Sequence, residues 1–160
     1  MMPFKIASLR LLKGKIGICP MPGRHGDYRS DLADMMAWSP GLVLTLASAA
    51  ELAEKGASDL PADLAGKGVA WVHLPVADFG TPAPPTDEHW PEASLRARGV
   101  LAGGGRVLAH CMGGCGRSGM ALMRLMVDTG ETPDGALARL RAVRPCAVET
   151  PEQLAWASRP

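Results

Sequence analysis

The 160-residue sequence predicts an α/β fold, a single domain built on a central, mainly parallel sheet flanked by helices. Three observations predict it. Strand-like and helix-like stretches alternate along the chain, with no long linker and no internal repeat. Leu42-Val43-Leu44-Thr45-Leu46 is a short, almost wholly apolar run, as expected of a strand covered on both faces. The apolar run Val107-Leu108-Ala109 leads straight into a glycine-rich loop and a helix-like stretch.

The elements follow in order. Phe4 to Leu12 and Ile16 to Cys19 read as strands joined by a turn around Gly14. Pro20-Met21-Pro22-Gly23 breaks the pattern and opens a polar loop through Asp27. Arg29 to Trp38 carries Leu32, Met35 and Met36 at helical spacing, and Ser39-Pro40-Gly41 stops it. Ser48 caps a helix from Ala49 to Lys55, and Asp59 to Ala65 forms another. Val69 to Leu74 is the next strand. Thr86 is expected to cap a helix reaching Leu101, with an interruption at Pro91. Arg106 to Ala109 feeds the glycine loop. Helices over Ser118 to Asp128, Thr132 to Val143 and Thr150 to Ser158 complete the chain, the last two opening with Thr-Pro.

Composition bounds the function. A hydrophobic fraction of 47%, with 21% charged residues and a formal charge of +1, suits a compact domain with a real core. It is neither a disordered composition nor a nucleic-acid-binding one. No apolar run approaches a transmembrane length, and Met1 to Ile18 lacks the pattern of a secretory signal. The four cysteines are irregularly spaced and do not suggest a disulfide framework. A monomer in the reducing cytoplasm is the expectation.

The chemistry concentrates in His110-Cys111-Met112-Gly113-Gly114-Cys115-Gly116-Arg117-Ser118. Cys111 and Arg117 are separated by five residues, three of them glycine. Glycines let the backbone curl so that several N–H groups point into one bowl, and the following helix adds its positive end. Such a bowl suits a tetrahedral dianion, with Arg117 gripping two oxygens as a fork. The same field favours a thiolate at Cys111. Blander readings fit less well. A lone Cys after an apolar run is often only a small buried hydrophobe. His110, Cys111 and Cys115 as metal ligands would need a second paired knuckle, which isolated Cys19 and Cys146 do not supply. The nucleotide-loop patterns GxGxxG and GxxxxGK[ST] are absent.

The segment resembles the HCx5R-Ser/Thr signature of the cysteine-dependent protein tyrosine phosphatases. Ile16 to Gly23, Asp27-Tyr28-Arg29 and His73 to Asp78 further resemble the kinase-associated phosphatase (cyclin-dependent kinase inhibitor 3) group of dual-specificity phosphatases. The resemblance implies a phosphatase-like sandwich over residues 1–160. It also implies a phosphorylated protein as substrate, a cysteinyl-phosphate intermediate, and no metal or organic cofactor. The loop interior Met112, Gly113, Gly114, Cys115 and Gly116 would hold the phosphate with Arg117. Cys111 would be the nucleophile, Ser118 would stabilise its thiolate and His110 would orient the loop.

Asp78 lies on a proline-rich loop after the Val69–Leu74 strand, and a carboxylic acid there can protonate a leaving oxygen. The resemblance makes it the general acid; the alternative is an Asx-turn. Arg144 to Gln153 resembles the segment that closes the site in the family, which makes Glu149 and Gln153 supporting candidates near the nucleophilic water. Rival readings are a lipid, nucleotide or other small-molecule phosphatase, a phosphopeptide-binding module, and a sulfur-transfer or arsenate-reducing enzyme. The loop interior 112–116 has no Lys or Arg to hold a highly charged inositol phosphate, although Arg24, His25 and Arg29 could contribute from the rim. Mild oxidation of Cys111 would leave Cys115 and Cys19 as comparable resolving partners, with Cys146 behind them.

Overall fold

Arg106–His110, the strand that feeds the glycine loop, lies at the centre of a five-stranded sheet. The structure is a computed structural model and describes residues 4–159; Met1 to Pro3 of the Met1–Ile18 stretch lie outside them. The strands are β1 (Ala7–Leu11), β2 (Gly14–Cys19), β3 (Leu42–Thr45), β4 (Ala70–His73) and β5 (Arg106–His110), in the order β1-β2-β5-β3-β4. β1 pairs antiparallel with β2 through a hairpin in which Leu12 takes a φ of 52°. A side chain at Gly14 would collide with the Gly105 carbonyl, so glycine is required there. All other pairings are parallel. Their register sets Cys19 and Thr45 opposite His110, so three side chains share one level at the carboxyl edge. Ligand sites of open parallel sheets lie just beyond that edge.

Period-two alternation divides the core. Val107 and Ala109 face one layer and Leu108 the other. The first layer contains α4 (Pro84–Ala102), α5 (Gly116–Asp128), α6 (Pro133–Val143) and α7 (Pro151–Ala157). The second contains α1 (Tyr28–Ala37), α2 (Ala49–Glu54) and α3 (Leu60–Gly66). α5 is buried along almost its whole length, which anchors the helix that follows the glycine loop. Asp27, Ser48, Thr132 and Thr150 cap α1, α2, α6 and α7 through their side chains.

Three local expectations need correction. α4 starts at Pro84, so the Thr86 hydroxyl lies inside the helix and donates to the Pro75 carbonyl at 2.9 Å instead of capping. The helix also continues through Pro91. Burial of Trp90, Ala93, Ala97 and Leu101 outweighs the local cost of the proline, about 3 kcal/mol. α5 begins at Gly116, which places Arg117 and Ser118 in its first turn.

Candidate active site

The carbonyls of the glycine loop explain where its amides point. Met112 O accepts from Met21 N at 2.9 Å, and Gly113 O and Gly114 O each accept from the Arg144 guanidinium at 2.9 Å. Cys115 O accepts from Gly119 N and Val148 N. Four successive carbonyls are thus held outward. Among the described residues, the amides of Met112, Gly113, Gly114 and Cys115 donate to no protein acceptor. This is an anion bowl. Gly114 is required twice over: its φ is +73°, and a Cβ there would lie 2.6 Å from the Cys19 carbonyl. At Gly116 a Cβ would strike Glu149 and Gln153.

Cys111 sits at the mouth of the bowl, 3% exposed, with its Sγ 3.2 Å from Ser118 Oγ. Beneath it runs a hydrogen-bond relay. Cys111 O can only accept, so His110 Nδ1 carries the proton in their 3.2 Å contact. Nε2 is then an acceptor and takes the Thr45 hydroxyl proton at 2.7 Å, while Trp71 Nε1 donates to Thr45 Oγ1 at 2.8 Å. Burial lowers the His110 pKa to about 4, so the ring is neutral at pH 7 and acts as a fixed strut.

Arg117 is 1% exposed and draws three elements together. It meets Glu51 of α2 as a fork, at 2.7 and 2.9 Å, and donates to Val76 O at 2.9 Å. Its Nη2 lies 3.5 Å from Asp78. Burial opposes the charge on Arg117, but the Glu51 hydrogen bonds and the surrounding anionic groups outweigh it and raise the pKa. In return the Arg117 hydrogen bond lowers the Glu51 pKa to about 2. Among the described residues, the buried Arg117 Nε has no hydrogen-bond partner. An oxyanion in the bowl would satisfy it.

Asp78 stands exposed on the opposite rim and accepts the Phe79 amide at 3.0 Å, which turns the loop. Gln153 is fully buried. Its Oε1 accepts from Glu149 N and Thr150 N, and its Nε2 donates to Gly80 O at 3.1 Å, tying α7 to the Asp78 loop. Glu149 lines the cavity beside Gly116. The whole cleft is about 650 Å³ and also takes in Lys5, Arg24 and His25. Arg29 does not line it, being drawn to Asp63.

The cysteines require a correction. Cys115 and Cys146 form a disulfide between the glycine loop and the segment before α7, with Cα atoms 5.1 Å apart. Irregular spacing concealed the pair because the return of the chain through α5 and α6, rather than a sequence pattern, brings it together. Cys115 and Cys146 are therefore already partnered, and Cys19, buried beneath the loop, is the one free thiol besides Cys111. Burial, followed by the nearby Cys111, pushes the Cys19 thiol pKa up.

Sequence reading missed Glu51 and Arg144. The signal for Glu51 was Ser48-x-x-Glu51, a capping box that holds a carboxylate at the carboxyl edge of the sheet. Arg144 had no comparable local signal.

The fold and the cleft define a cysteine-dependent phosphatase of the dual-specificity and protein tyrosine phosphatase class. The family model described as Tc-R-P, polymorphic toxin system, DSP-PTPase phosphatase, matches residues 25–131, well over half of the chain, and the chain belongs to that family. No curated protein matches the sequence. Among solved structures, a kinase associated phosphatase with its catalytic-site cysteine replaced by serine is 22% identical, with a TM-score of 0.84 over 98% of this chain and 93% of that one. The active form of Tk-PTP is 29% identical, with a TM-score of 0.69 over 98% and 95%. PTPMT1 in complex with PI(5)P is 17% identical, with a TM-score of 0.69 over 94% and 92%.

Proposed function

We propose that the protein hydrolyses phosphotyrosine and phosphoserine or phosphothreonine in proteins through a cysteinyl-phosphate intermediate, acting in a reducing compartment such as the cytoplasm. One observation carries the reading: four successive loop carbonyls are engaged by protein donors, while the four amides beside Cys111 and the Arg117 Nε have no acceptor among the described residues. The Cys111 thiolate attacks phosphorus in line. Arg117 and the amides of Met112 to Cys115 hold the three equatorial oxygens as charge spreads over them. Asp78 protonates the departing oxygen, then takes a proton from the water that cleaves the S–P bond. Ser118 stabilises the released thiolate from 3.2 Å, and His110 fixes the loop from below. Gln153 positions the acid loop through Gly80, and Glu149 borders the space the water would enter.

Replacing Cys111 with Ser should abolish turnover of p-nitrophenyl phosphate while phosphate and vanadate still bind, because the bowl is made by backbone and Arg117. Titration calorimetry alongside the assay checks both halves. Residual turnover that depends on an added metal would overturn the mechanism.

A further inference from the structure

The cleft holds more positive charge than one phosphate uses. Both Arg117 Nη atoms are engaged by Glu51, Val76 O and Asp78, which leaves its Nε for the scissile phosphate. Arg144 is taken by the loop carbonyls. Arg24 is different. It is exposed at the rim, has neither a carboxylate within ion-pair range nor a hydrogen-bond acceptor among the described residues, and leans against the bowl. Its Nη1 lies 2.7 Å from where a Cβ on Gly113 would be, which places the guanidinium directly against the loop backbone. Lys5 and His25 line the same cavity, whereas the acidic groups that line it, Asp78 and Glu149, accompany the acid loop and the closing segment. Between them the lining is carbon-rich, with Met112 and Phe79 among its side chains and Phe79 60% exposed.

We propose that Arg24, supported by Lys5 and His25, forms a second anion subsite, and that the substrate is a phosphopeptide with an acidic or phosphorylated residue next to the scissile phosphoresidue. The inference rests on the phosphatase reading above and adds the substrate's second charge. A guanidinium with an open fork binds a carboxylate or phosphate in two-point fashion. The apolar lining suits the peptide carbon between the two charges. A peptide fits better than a compact polyphosphate because the lining that accompanies the cations is carbon-rich, with Phe79 60% exposed.

The test compares kcat/KM for two phosphopeptides that differ only in the neighbouring residue, Asp or phosphoserine against Ala, with a soluble short-chain inositol bisphosphate as a third arm. The wild-type protein should favour the acidic peptide by about tenfold, an advantage that shrinks as salt screens it. Arg24→Ala should bring the ratio of the two peptides close to one. Arg24→Lys should retain part of it, since charge survives but the fork does not. Arg29→Ala should preserve the ratio, because that guanidinium is drawn to Asp63 outside the cleft. Equal use of both peptides by wild type would overturn the subsite, as would an equal loss on both in Arg24→Ala. A preference confined to the inositol bisphosphate would overturn the peptide assignment. No turnover of p-nitrophenyl phosphate by the wild type would instead refute the underlying phosphatase reading, so the two failures are separable.

Discussion

A single carboxylate at Asp78 both holds a bent loop and stands beside Arg117. One oxygen accepts the Phe79 amide at 3.0 Å and thereby steadies a backbone in which Phe79 has a φ of 60°, rare for a bulky residue. The carboxyl group also faces the bowl across Arg117. Asn keeps the acceptor that holds the bend but cannot deliver a proton, so Asp78→Asn separates structure from chemistry. We expect kcat to fall by about a hundredfold on alkyl and ordinary aryl phosphates, the usual scale of general acid catalysis. The deficit should shrink for leaving groups of low pKa, as steady-state kinetics on a series of substituted phenyl phosphates would reveal. A uniform deficit would mark Asp78 as purely structural.

At the scale of elements, the glycine loop is shaped from behind by a segment remote in sequence. Arg144, Cys146 and Val148 all engage the loop between Gly113 and Cys115. Arg144→Ala would leave two inward-curving peptides without their outer partners. Phosphate affinity, measured by calorimetry in the Cys111→Ser background, should weaken about tenfold or more. Arg144→Lys should recover only part of the loss, because an ammonium cannot bridge two carbonyls in a plane. This clamp also marks how far the sequence could be read. The loop itself was plain because His110 to Ser118 are contiguous and glycine has few other uses in that pattern. The neighbouring strand β3 was plain from Leu42 to Leu46, an almost wholly apolar run. The partners were not. Glu51 meets Arg117 only after β3 and β5 are set side by side, and Cys146 meets Cys115 only after α5 and α6 have packed back toward the loop. The continuity of α4 across Pro91 escaped notice for the related reason that tertiary burial decided against a local rule.

For the molecule as a whole, one buried and one half-buried group foretell sensitivity to acid. His110 has a pKa of about 4 in the fold against an ordinary 6.5, so protons bind preferentially to the unfolded chain as pH falls through that interval. Stability should be highest above pH 6.5 and should have fallen by about 3 kcal/mol from this group alone at pH 4. Glu51, held near 2 against an ordinary 4.5, adds a second loss as pH falls from 4.5 toward 2. Urea denaturation at pH 7.5, 5.5 and 4.5 would measure the first of these. His110→Asn should flatten the slope between pH 6.5 and 4.5; an unchanged slope would show that another group titrates there.

The Cys115–Cys146 bridge also acts on the chain when it is not folded. With a separation of 31 residues it encloses α5 and α6 in one covalent ring, so an unfolded molecule cannot let the ends of that stretch drift apart. In the chain-entropy description, a ring of this size removes about 4 kcal/mol of disorder from the denatured ensemble. Small domains are commonly stable by only about 5–15 kcal/mol in total. The persistence of this fold is therefore tied to the thiol–disulfide balance of its surroundings. The same protein would be sturdier where disulfides endure and more readily unfolded where they are reduced.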